Sequence, residues 1–261
     1  MTVTRATFEV NGRRLSYLDF GGAGRPLLAL HGHMSNAASF TDLGERLGDR
    51  WRLIALDQRG HGFSDRAGDY SRAGYIADIA ALLDHLGLGS VVLLGHSLGG
   101  INAYQFAARH PERVEAFIDV DGAVSLGLDG RNPLHFVLAL PYEAPTRAAL
   151  VEAMGPMGAH FADVVRERAD GRWSLPFHPG DMVASEDQVH GDHWADWTSS
   201  VCPALLIRAA HGVIPREQAE AMIERRPNTR MVELDTDHFV YANDPDGFGE
   251  AVGEFLAMLP A

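Results

Sequence analysis

Gly95-His96-Ser97-Leu98-Gly99 follows four apolar residues, Val91 to Leu94, and precedes a stretch carrying Ile101, Ala103, Tyr104, Phe106 and Ala107. A buried strand, a sharp turn and a helix are the setting in which Gly-x-Ser-x-Gly is a nucleophile elbow. The chemistry is attack by a serine hydroxyl on an electrophilic carbon. A hydroxyl does this only when a base takes its proton. A serine on so tight a turn sits in an unfavourable backbone conformation, and small neighbours such as Gly95 and Gly99 make room for it. The turn also aims a helix N-terminus at whatever binds there.

Other chemistries are bounded by composition. All 22 basic residues are arginine, so a lysine Schiff base is excluded. Cys202 is the only cysteine, and no intrachain disulfide can form. A net charge of −13 argues against nucleic acid or an anionic membrane as partner. No apolar run reaches the length of a signal peptide or a membrane span, so a cytoplasmic protein is expected. With 261 residues and 46% apolar content, one core plus a small insertion can form.

Elements must then position the serine. Residues 6–10 and 13–20 alternate around Asn11-Gly12, a hairpin signal. Residues 26–30, 51–56, 114–120, 203–207 and 229–234 read as further strands. Helical stretches lie between them, at about 38–47, from Ser71 to Gly87, from Pro215 and from Asp244-Pro245. This alternation implies an α/β fold with a mostly parallel sheet covered on both faces by helices. Residues 123–200 break the pattern. Six prolines and short helical pieces at 146–154 and 160–168 suggest a small helical cap inserted into a core of residues 1–122 and 201–261. Ligands of such sheets bind at the carboxyl ends of the strands. His31, Asp57, Ser97, Asp121 and His238 all fall just after strands and share that edge.

The sequence thereby resembles the α/β-hydrolase family. His31-Gly32, the run from Asp57 through Arg59-Gly60-His61-Gly62 to Ser64-Asp65, the elbow and the late His238 carry the resemblance, in the family's order and over nearly the whole chain. The resemblance implies that His238, between the last strand and last helix, is the base. It implies an oxyanion hole made by the backbone N–H groups of Leu98 and His33. The acid departs from the common pattern. Most relatives carry it after the strand matching 203–207, but residues 208–215 contain no Asp or Glu, and Gly212 stands near the expected place. Asp121 is the substitute, because a minority of the family, including haloalkane dehalogenases and zearalenone lactonase, resembles an arrangement with the acid after this strand. Asp119, two residues deeper on the same strand face, is the runner-up; Asp237 ranks below it.

The expected function is therefore a serine hydrolase that cleaves a small or medium organic ester, lactone or amide through an acyl-enzyme, with Ser97, His238 and Asp121 as catalytic residues. Carbon–carbon bond hydrolysis, cofactor-free haloperoxidation and a ligand-binding receptor on the same scaffold stand as alternatives. His33, Phe136, Leu138, Phe161 and Trp173 are the candidate substrate-binding residues. The partner is a small-molecule substrate, and no cofactor or metal is needed. His190-x-x-His193 reads as solvated rather than metal-binding, Asp57, Arg59 and Asp65 as loop braces, and His61 and His96 as structural. Substrate identity and oligomeric state are not legible.

Overall fold

A computed structural model describes residues 2–162 and 164–260. Among these, eight strands form one sheet: β1 (Thr4–Val10), β2 (Arg13–Asp19), β3 (Arg25–Leu30), β4 (Trp51–Asp57), β5 (Val91–His96), β6 (Val114–Val120), β7 (Ala204–His211) and β8 (Thr229–Asp237). Their spatial order is β1-β2-β4-β3-β5-β6-β7-β8. The β1–β2 and β2–β4 pairs are antiparallel, and every pair from β4 onward is parallel. Asn11 and Gly12 both have positive φ, 49° and 73°, as the tight turn of the first hairpin requires.

The parallel strands are apolar because both of their faces are covered. On one face lie α2 (Arg72–His85), which carries Ile76, Ile79, Leu82 and Leu83, and α3 (Leu98–Arg109), which carries Ile101, Tyr104 and Phe106. Ser71 caps α2 by accepting from the Gly74 N–H, as a helix start demands. The other face is covered by α1 (Thr41–Leu47) with Leu43 and Leu47, and by a late helix, Pro245–Met258, with Phe248, Val252, Phe255 and Leu256.

Between β6 and β7 lies a cap with its own core. Its helices are α4 (Arg147–Ala153), α5 (Gly158–Phe161), α6 (Pro179–Asp187) and α7 (Trp194–Ser199). Val137, Leu150, Met154, Phe161, Leu175 and Phe177 pack together there, apart from the sheet. The helix expected over 160–168 is not formed as such. α5 ends at Phe161, Asp163 lies outside the described residues, and Arg166–Glu167 pairs as a strand with Trp173–Ser174. α7 departs from its neighbours: Trp197 packs edge-on against Tyr104 and Phe117 in the sheet's core. The cap is fastened to the core where the Gly62 N–H donates to the Pro176 carbonyl (2.7 Å) and Arg66 pairs with Asp181 (2.7 Å). No helix among the described residues is long and apolar enough to cross a membrane. The remaining helices are α8 (Arg216–Arg225), α9 (Val240–Asn243) and α10, the late helix just described.

Candidate active site

Ser97 joins β5 to α3 with φ 54° and ψ −117°, outside the ordinary regions for a residue with a side chain. The turn survives because its flanks are glycine. A Cβ at Gly95 would lie 2.0 Å from the Gly99 carbonyl oxygen, and one at Gly99 would lie 2.0 Å from that of Leu30. The Ser97 N–H donates to Val120 (2.8 Å), which ties the turn to β6. Leu98 opens α3, so its own N–H has no acceptor within the helix.

His238 follows β8. Its Nδ1 lies 2.8 Å from Asp121 Oδ2, and the Asp121 side chain is fully buried. That carboxylate also accepts from the Val213 N–H (2.8 Å) and, at its other oxygen, from the Ala209 N–H (3.4 Å). Three N–H groups thus converge on one carboxylate and fix its orientation. With Nδ1 donating to Asp121, the Nε2 lone pair is left to take a proton. His96 supports the loop from below. Its Nε2–H donates to the His238 carbonyl (2.7 Å), and the two rings lie 4.6 Å apart. Burial holds the His96 imidazole neutral, with its pKa well below the usual range.

The other acids are engaged elsewhere. Asp119 is completely buried; one oxygen accepts from the Gly122 N–H (3.0 Å) and the other has no partner. Burial, and then the charge of Asp121, push its pKa well up, and it packs under α3, where a Cβ at Gly100 would lie 2.0 Å from it. Asp237 accepts from the Phe239 N–H (2.9 Å) and from Asn243. Asp57 accepts from the Ala37 and Phe63 N–H groups, Arg59 pairs with Asp78 (2.7 Å), and Asp65 accepts from the Arg14 N–H. These are loop-bracing contacts.

Ser97, His238, Leu98 and His33 all line one cavity of about 800 Å³. Of the candidate substrate-binding residues, His33 and Phe136 line it and three do not. Phe161 is buried in the cap's own core, Trp173 packs against that core, and Leu138 projects into solvent at 57% exposure. The cap is a layer with an inner and an outer side, and apolar residue type alone does not say which side is meant. Leu134 and Val189, which sequence reasoning missed, line the cavity, together with Met157 and Glu186. No periodic signal marks them. His190 and His193 turn to different partners, the Glu186 carboxylate (3.3 Å) and the Val189 carbonyl (2.7 Å). Among the described residues no group of three or more His, Cys, Asp or Glu side chains could hold a metal ion.

A positive-φ serine between strand and helix, capped by an inserted layer and sharing its cavity with a late histidine, defines an α/β enzyme of the hydrolase class. The chain belongs to the α/β-hydrolase fold family, whose sequence profile, described as alpha/beta hydrolase fold, matches residues 25–167. It is 33% identical over 264 residues to N-formylmaleamate deformylase of Pseudomonas putida, covering 97% of each chain. It is 29% identical to 2-(acetamidomethylene)succinate hydrolase of Mesorhizobium japonicum, covering 90% of this chain and 89% of that one. The crystal structure of E-2-(acetamidomethylene)succinate hydrolase superposes with a TM-score of 0.87 at 24% identity, over 98% of this chain and 100% of that one.

Proposed function

We propose that the protein is a serine acyl hydrolase acting on a small or medium ester, lactone or amide. Ser97 Oγ attacks the carbonyl carbon while His238 Nε2 takes its proton. The tetrahedral oxyanion is received by the N–H groups of Leu98 and His33. Collapse expels the alcohol or amine, protonated by His238, and leaves an acyl-serine. Water, deprotonated by the same imidazole, then releases the acid. Asp121 holds the imidazole in the tautomer this requires and stabilises the imidazolium that forms. Two of the relatives are named for substrates with an acyl group on nitrogen, formyl in one and acetamido in the other, so a small N-acyl amide stands beside esters and lactones.

The observation that carries this reading is the 2.8 Å bond between His238 and a fully buried Asp121 in the cavity that Ser97 lines. Labelling with a fluorophosphonate tests it. The intact protein is expected to form one adduct, at Ser97, and Ser97→Ala to form none. An unlabelled wild-type protein, or an adduct that persists in Ser97→Ala, would overturn it.

A further inference from the structure

Beyond the serine and its partners, the cavity holds one polar cluster that the reaction leaves unused. Its wall is mostly apolar, and the polar side chains toward its rim are already committed. Asn132 donates to the Val183 carbonyl (3.0 Å) and to Asp187 (2.8 Å), and accepts from the Leu134 N–H (2.8 Å). Asp129 and Arg131 pair with each other (3.1 Å) at the rim, with side chains 58% and 88% exposed. There remain Glu186, on α6, and the two imidazoles beside it.

Glu186 Oε2 lies 3.3 Å from His33 Nδ1, and its Oε1 lies 3.3 Å from His190 Nε2. A chain of short contacts leads away from the other ring nitrogen of His33. His33 Nε2 is 2.8 Å from the Ser185 hydroxyl, itself 2.8 Å from the Tyr75 hydroxyl. Burial keeps His33 neutral, with its pKa well below the usual range, so it has one proton to give. Oε1 of Glu186 thus has one long bond, to His190, and Oε2 has only the neighbouring His33 ring. A carboxylate has about four acceptor positions. The unused ones belong to a side chain that lines the cavity, while its own surface is only 9% exposed.

The groups around Glu186 oppose one another. Burial raises its pKa and Asp187 adds to that, whereas His190 and Arg72 favour the ion. Arg72 does not line the cavity, and none of its three guanidinium nitrogens has a hydrogen-bond partner. Its charge is thus uncompensated by any direct bond and acts on Glu186 through space.

Resting on the hydrolase reading above, we infer that Glu186, held between His33 and His190, receives a hydrogen-bond donor of the substrate, an ammonium or an amide N–H, and disfavours a carboxylate at that place. On an apolar wall a donor completes the acceptor's bonding, while a second carboxylate meets like charge with no solvent to screen it.

Straight-chain alkylboronic acids of four to seven carbons, ending in ammonium or in carboxylate, test this by slowing fluorophosphonate labelling of Ser97. In wild type the ammonium probe is expected to protect at least about tenfold better than the carboxylate probe at the best length. Glu186→Gln is expected to bring that ratio to within about threefold. Equal protection by both probes at every length in wild type, which needs no variant, overturns the inference. So does a Glu186→Gln protein that still labels and keeps the wild-type ratio. Failure of the hydrolase reading looks different: the wild-type protein does not label at Ser97 at all.

Discussion

Asp121 and Gly212 compete for the same space. A Cβ at Gly212 would lie 2.0 Å from Asp121 Oδ2 and 2.6 Å from its Cγ. The position that holds an acid in most of the family is thus filled from the neighbouring strand, and it has to stay small. Asp121→Asn removes the charge that orients His238 and is expected to lower turnover of p-nitrophenyl acetate about 10³- to 10⁴-fold with little change in KM. Asp119→Asn keeps the shape of a side chain that makes no bond to His238 and is expected to stay within about tenfold of wild type. The reverse ranking in steady-state kinetics would move the acid to Asp119. Gly212→Ala leaves every catalytic residue unmutated but pushes the Asp121 carboxylate off His238, and is expected to cost at least about 100-fold in kcat, because a small misplacement of a catalytic group has that weight. Wild-type kcat in Gly212→Ala would show that the two do not compete. The vacancy at 212 and the acid at the end of β6 are both legible in the sequence. Their exclusion of each other is not, because it depends on a parallel register that brings β6 beside β7.

At the scale of elements, the loop after β4 is held to α2 by a single buried ion pair. Arg59 and Asp78 are 1% and 2% exposed at their side chains and lie 2.7 Å apart, while Arg59 also donates to the Asp69 carbonyl (2.7 Å). Such a pair is a poor source of net stability when intact, yet costly to break, since the surviving charge is left in a dry interior. Asp78→Asn is therefore expected to lose about 3–5 kcal/mol by urea denaturation. The Ser97 labelling rate of the still-folded protein is expected to hold within about twofold, as Asp78 does not line the cavity. A loss under about 1 kcal/mol would mean that water or Asp69 takes over the guanidinium. α2 itself is plain in the sequence, because Ile76, Ile79, Leu82 and Leu83 repeat at helical spacing over 14 residues. Among the cap elements the helical piece at 146–154 forms as α4, but the strands carry no such signal. Ser125–Leu126, Glu143–Ala144, Arg166–Glu167, Trp173–Ser174 and Gly191–Asp192 are two residues each, shorter than one period of alternation. Their pairing is set by the surrounding cap core, which explains why a helix over 160–168 was the reasonable expectation and not the outcome.

For the molecule as a whole, the buried imidazoles under the cap decide its response to acid. His31 donates from Nδ1 to the Gly32 carbonyl (2.7 Å) and accepts at Nε2 from the Gln58 N–H (3.0 Å), so both nitrogens are committed to the neutral form. His61 donates to the Arg59 carbonyl (3.0 Å), its other nitrogen is buried without a partner, and its ring lies 5.0 Å from that of His31. Burial lowers the His31 pKa to about 4 and, with help from His31, that of His61 to about 3. Their folded values lie below the unfolded value near 6.5, so as pH falls the unfolded chain takes up protons first. The stability they confer is complete above about pH 6.5 and drains away toward pH 4, by about 3 kcal/mol for His31 alone. His33 and His96, also held well below the usual range by burial, act in the same direction. Asp119, Asp78 and Glu186 act in the opposite one, because their raised values let the folded state gain protons as pH falls. Four strongly shifted imidazoles outweigh three carboxyls between pH 6.5 and 5, before the ion-paired surface carboxylates begin to titrate. Urea denaturation at pH 7, 6 and 5 is therefore expected to show stability falling with a slope of about one to four protons, each about 1.4 kcal/mol per pH unit. Because His61 sits where the chain meets Phe177 of the cap, the cap's fastening is placed among the first contacts to weaken. Stability that holds level or rises from pH 7 to 5 would mean that the carboxyls dominate and that the imidazoles are reached by water in the folded state.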